Sequence, residues 1–107
     1  MVTSSQLLYY GVESYIKEQI FLIEHKNTGT IATIQRIKHT VLILKNNFKA
    51  KLKRKRYVNF YAKTIPVLTQ IIKDLNNAKN STRIGDRLMY LNWAKIRIHD
   101  MRFKVGQ

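Results

Sequence analysis

The chain has 107 residues, 45% of them apolar, which suits one folded domain burying roughly two thirds of its unfolded surface rather than a disordered basic tail. Twenty Lys and Arg stand against six Asp and Glu, a net charge of +14, and no acid occurs between Glu24 and Asp74, the electrostatic footprint of a protein that meets a polyanion. The absence of cysteine excludes disulfides, thiolate metal sites and cysteine nucleophiles.

Met1-Val2-Thr3-Ser4-Ser5 is neither a basic-then-apolar signal nor an Arg-rich transit helix, so nothing here is expected to address the protein across a membrane. Ser4 or Ser5 can cap a first helix, on which Leu8, Val12, Tyr15, Ile16, Gln19 and Ile23 recur at spacings of three and four as far as about His25. Asn27-Thr28-Gly29 ends it, with Gly29 suited to the left-handed conformation past a helix end. Thr30 then caps a second helix whose seam reads Ile31, Ile34, Ile37, Val41, Leu44 and Phe48. Two long amphipathic helices joined by so short a connection predict an antiparallel hairpin.

Beyond Phe48 the seam positions become Lys51 and Lys55, inside the run Lys49-Ala50-Lys51-Leu52-Lys53-Arg54-Lys55-Arg56. The second helix is therefore expected to project past its apolar partner. Lys38, Lys45, Lys49, Arg56 and Lys63 would lie within about 40° of one another on a continuous helix, a stripe about 37 Å long. The usual fate of such a run is a solvated helix face; six cations without an interleaved acid argue for a partner instead. Tyr57, Phe60 and Tyr61 follow the run and suit either a core or base stacking.

Thr64-Ile65-Pro66 predicts a break, because proline disfavours helical geometry in the residue before it. A short third helix would bury Leu68, Ile71, Ile72 and Leu75 and end in the polar run 76–81. A last helix from about Ser81 or Thr82 would bury Ile84, Leu88, Leu91, Ala94, Ile98 and Met101. Its other side would show Arg83, Arg87, Tyr90, Arg97 and Lys104. Trp93 reads as a buried or interfacial residue. The fold class is thus all-α, a long antiparallel helical hairpin (residues 1–64) followed by two further helices in a C-terminal extension (residues 65–107).

Residues that carry chemistry are scattered. His25, His39 and His99 lack metal-ligand spacing, and the acids nearest any of them, Glu24 beside His25 and Asp100 beside His99, are direct neighbours that face elsewhere on a helix. Glu13 with Glu18, and Asp86 with Asp100, do not form a working carboxylate pair by spacing alone. Gly11, Gly29, Gly85 and Gly106 stand singly, so no phosphate-cradling loop is present. No enzyme, cofactor, metal or small-molecule substrate is expected. The apolar runs 20–23 and 41–44 fall far short of the ~20 residues of a membrane span.

Three short segments resemble a known family: Lys17-Glu18-Gln19-Ile20-Phe21-Leu22, Lys26-Asn27-Thr28-Gly29-Thr30-Ile31 and Arg36-Ile37-Lys38. They are similar, without a gap, to the ribosomal protein twenty-nine family of the large subunit, over roughly residues 13–56. The family pattern differs at residues 21–23, 30 and 40–42, and residues 57–107 lie outside its compact bacterial form. The resemblance implies a helical hairpin on large-subunit ribosomal RNA near the peptide exit tunnel, beside ribosomal protein twenty-three, with no catalytic role. It carries over Gly29 as the turn and Arg36 and Lys38 as RNA contacts. Abundant Lys, Ile, Asn and Tyr, with one Pro, is a bias of AT-rich genes and points to an organelle, a virus or an AT-rich bacterium; taken with the extension over residues 57–107, the resemblance implies a mitochondrial ribosome ahead of a bacterial or plastid one.

The expected RNA-binding residues are Arg36, Lys38, Lys45, Lys49, Lys51, Lys53, Arg54, Lys55, Arg56, Lys63, Arg83, Arg87 and Arg97. They would neutralise phosphates along helix two, since RNA helices are met mostly through shape and backbone. The alternative is a small helical homodimer that binds duplex RNA or DNA without sequence preference, as viral nucleoproteins and silencing suppressors do. A third class, a basic amphipathic helix on anionic membrane, needs lipid-facing aromatics opposite the charge.

Overall fold

The computed structural model describes the backbone over residues 4–26, 30–53 and 58–105, and side chains over 7–25, 30–53 and 61–101. Four helices of nearly equal length follow one another: α1 (Ser4–Lys26), α2 (Thr30–Leu52), α3 (Val58–Asn80) and α4 (Ile84–Val105). Each packs on its neighbours in sequence, and α1 closes the ring against α4. Neither diagonal pair touches among the described residues. Short connections between long helices make the neighbours antiparallel, giving an up-down-up-down bundle. Its 43 Å long dimension fits helices of 23 residues, each about 35 Å long at 1.5 Å per residue.

The all-α class and the hairpin are as the sequence reading has them, but the hairpin does not stand apart. One core takes Tyr9, Ile16 and Ile20 from α1, Ile34, Leu44 and Phe48 from α2, Leu68, Ile71 and Leu75 from α3, and Leu91, Ile98 and Met101 from α4. Thr64 and Ile65, where the sequence divides hairpin from extension, both lie inside α3. The expected seams of α2, α3 and α4 are buried over most of their length, while the stripe of α1 is rotated slightly. Leu8, Ile31 and Ile84 are exposed, Gln19 is half-exposed, and Tyr9, Glu13 and Ile20 are buried in their place on α1. An α1 that meets two helices, α2 and α4, turns its stripe to face between them.

Two expectations about helix ends are corrected. The second helix does not run on to Lys63: it stops at Leu52, and Lys63 lies exposed on α3. Leu52 packs against the core, and Tyr61 is buried against Phe48 with ring centroids 5.1 Å apart. The chain therefore folds back where its apolar seam ends, because burying the second seam outweighs extending a helix through adjacent like charges. Tyr61 is thereby a core residue; Tyr57 and the side chain of Phe60 lie outside the described residues, as does the Gly29 turn.

Nor does Pro66 break the third helix, which begins eight residues before it and continues to Asn80, through the polar run expected to end it. Tyr61 and Thr64 before the proline, and Leu68, Ile71, Leu75 and Ala78 after it, are buried on one continuous stripe. Their combined burial, at about 1.5–3 kcal/mol for each large apolar side chain, exceeds the ~3 kcal/mol that an interior proline costs a helix. Because Pro66 is exposed, Pro66→Ala restores an amide donor without touching the core. After allowance for a looser unfolded chain, the melting temperature should rise by about 10 °C; a circular-dichroism melt without a rise would refute helical continuity there.

Candidate nucleic-acid interface

The site begins with where the acids go. Glu13 is buried on α1, and its Oε1 accepts a hydrogen bond from Lys17 Nζ at 2.9 Å while lying 3.9 Å from His99 Nδ1 of α4. Lys17 Nζ is also 2.7 Å from His99 Nδ1. Glu24, about three turns beyond Glu13 on α1, pairs with Lys95 of α4 at 3.4 Å. On α3, Asp74 is buried and its Oδ2 lies 2.7 Å from Arg97 Nε of α4, an ion pair set off the straight line of a hydrogen bond. Gln70 Nε2 approaches the other oxygen at 3.4 Å. All three paired acids thus sit on the flanks of α1 and α3 that face α4.

Across the diagonal from α4, helix α2 contains no acid at all. With the connection after it, it carries Arg36, Lys38, Lys45, Lys49, Lys51, Lys53, Arg54, Lys55 and Arg56, nine of the twenty Lys and Arg of the chain. Five of the six acids belong to α1 and α4. Arg36, Lys49 and Lys53 are exposed and Lys38, Lys45 and Lys51 half-buried. Among the described residues, no salt bridge joins Arg36, Lys38, Lys45, Lys49 or Lys53 to an acid.

Lys38, Lys45 and Lys49 share a flank of α2 within about 40°, with Lys53 one turn beyond Lys49 and somewhat further round the helix. Arg36 and Lys51 fall on the other flank. The shared flank measures about 16 Å from Lys38 to Lys49, under half of the stripe expected from a helix continuous to Lys63. Arg54, Lys55 and Arg56 lie outside the described residues, between Leu52 and Val58.

The arginines of the second basic stripe stand apart from this edge. Arg83 is exposed in the connection before α4. Arg87 is half-buried, its Nε donating to the Ala78 carbonyl at 3.1 Å and its Nη2 to the Ser81 carbonyl at 2.8 Å. It thus caps the end of α3, satisfying carbonyls that have no partner inside the helix. Arg97 is committed to Asp74. Tyr90, expected on the outer side, is partly buried against the core with Trp93 on its edge, ring centroids 5.7 Å apart.

Sequence reasoning missed the pairing of Glu13 with Lys17 and His99, and that of Asp74 with Arg97. Asp74 carried a signal, since it follows Ile71 by three and precedes Leu75 on the buried stripe. Tertiary packing also brings a histidine an acid remote from it in sequence: Glu13 comes to His99 from another helix. No three His, Cys, Asp or Glu among the described residues are placed to hold a metal ion. No described helix is long and apolar enough to cross a membrane.

Comparison with known proteins finds no matching family model, no matching curated protein and no matching solved structure.

Proposed function

We propose that the chain is a structural ribonucleoprotein component that neutralises the phosphate backbone of folded RNA with the α2 edge and the connection that follows it. One observation carries this reading: among the described residues every paired acid is turned toward α4 and α2 contains no acid, so Arg36, Lys38, Lys45, Lys49 and Lys53 have no acid in a salt bridge with them there. A concentration of like charge on one edge is unfavourable for the isolated chain and is relieved by a polyanion. RNA supplies a backbone that is met by position and charge without base readout.

The assembly we infer is the large ribosomal subunit, on the resemblance of residues 17–22, 26–31 and 36–38 to the protein twenty-nine family. The extension over residues 57–107, together with the compositional bias, favours a mitochondrial ribosome. Arg36 and Lys38 are exposed and half-buried on α2, both able to reach a backbone beside it. On this reading the chain has no catalytic role, and ribosomal protein twenty-three is a candidate neighbour.

The epitope-tagged chain in a cell lysate should sediment with large subunits and leave them after ribonuclease treatment. A chain that stays at the top of the gradient overturns the ribosomal assignment. On purified protein with a short RNA duplex, the logarithm of affinity should fall linearly with the logarithm of salt concentration. Lys45→Gln with Lys49→Gln should flatten that slope by about 1.5, from ~0.7–0.9 per phosphate contact. An unchanged slope would remove the α2 flank from the interface.

A further inference from the structure

The outer face of α4 has a different character from the rest of this basic chain. Met89, Trp93 and Ile96, at spacings of four and three, are 39%, 43% and 48% exposed. Asp86 and Asp100, seven residues before and after Trp93, are exposed as well, and neither forms a salt bridge among the described residues. At 3.6 residues per turn these five side chains fall within about 80° of arc and span about 21 Å. The result is an apolar seam with an acid at each end, in a chain of net charge +14. Beside it, a groove of about 300 Å³ between α1 and α4, lined by Lys17, Lys95, Ile96, His99 and Asp100, has room for an inserted side chain.

We propose that this face docks a protein helix whose apolar stripe is flanked by Lys or Arg about two turns to either side of its centre. Apolar residues at i, i+4 and i+7 are the register by which one helix seats on another. The acids choose among occupants by charge. A nucleic-acid backbone or an anionic lipid surface would bring its own negative charge against Asp86 and Asp100. A second copy of α4 laid antiparallel about Trp93 would set Asp86 of one copy against Asp100 of the other. A helix with cationic ends turns both acids into attractive pairs, and so supplies specificity at the rim of an apolar contact. This surface lies diagonally across the bundle from the α2 edge, so it goes beyond the RNA reading and leaves that edge free.

Trp93 is the one tryptophan of the chain, so its fluorescence reports on this face alone. The intact protein is titrated with two fluorescein-labelled helical peptides that share three leucines at i, i+4 and i+7. One carries Lys seven residues before and after the middle leucine, and the other carries Glu there. The lysine peptide should shift Trp93 emission to the blue and bind about tenfold more tightly than the glutamate peptide. Asp86→Asn with Asp100→Asn should erase that preference. Met89→Ser with Ile96→Ser, exposed positions whose loss leaves the core intact, should abolish peptide anisotropy while RNA affinity is retained. Equal binding of the two peptides, or no binding of either, overturns the proposal. So does a blue shift with an RNA duplex or with phosphatidylserine vesicles, or a dimer in light scattering that the Ile96 change dissolves.

Discussion

Replacing Lys53, Arg54, Lys55 and Arg56 together with glutamine is expected to abolish incorporation of the chain into large ribosomal subunits and to weaken RNA-duplex binding by at least about a hundredfold at low salt. Four phosphate contacts fewer should also flatten the salt dependence by about three. The bundle itself should survive, and should even gain stability, because Lys53 is exposed and removal of adjacent like charges relieves repulsion. Far-ultraviolet circular dichroism and a melt establish that the variant is folded. Filter binding across salt concentration and gradient sedimentation then give the result. A folded variant that still enters subunits normally would refute the assignment of this connection to RNA.

The second large effect lies on the other side of the molecule. Asp74 is 2% exposed and meets Arg97 at 2.7 Å. Arg97→Leu leaves a carboxylate in the interior with, among the described residues, only Gln70 in hydrogen-bonding reach, and should cost about 2–4 kcal/mol. That is somewhat less than for a wholly buried pair, because the Arg97 side chain is 38% exposed. The melting temperature should fall by about 10–20 °C. Asp74→Leu with Arg97→Leu should recover most of the loss, since replacing both charges with apolar groups removes the desolvation cost as well as the attraction. A double variant as unstable as the single one would mean that the pair contributes through more than mutual compensation. RNA binding should be unchanged in the double variant if Arg97 acts inside the bundle alone, whereas a lower affinity would return it to the interface.

These two predictions separate charge that is satisfied within the protein from charge that is left outside it. In sequence, Arg97 and Lys53 read alike, each a cation on the polar side of a helical pattern. The contrast comes from Asp74, twenty-three residues before Arg97 in the chain and in contact with it only because α3 and α4 pack side by side. Arg87 makes the same point. Its spacing from Arg83 suggests one exposed stripe, yet its guanidinium closes the carbonyl end of α3. Neither pairing leaves a periodic trace, since each depends on which flank of a helix faces which neighbour.

What the sequence by itself determined is the local order: four amphipathic helices, the short connection between the first two, the absence of cysteine chemistry, and the acid-free stretch from Glu24 to Asp74. Apolar residues at spacings of three and four make those features legible, because helical geometry is local. Tertiary structure alone decided that Pro66 sits inside a helix, that the second helix stops at Leu52, and that one core unites hairpin and extension. It also decided that Glu13, Glu24 and Asp74 turn toward α4. The reason is common to all of these. A buried stripe shared by four helices is a non-local quantity, and its stabilisation outweighs the local signals of proline, charge repulsion and polar runs that would otherwise have placed the breaks.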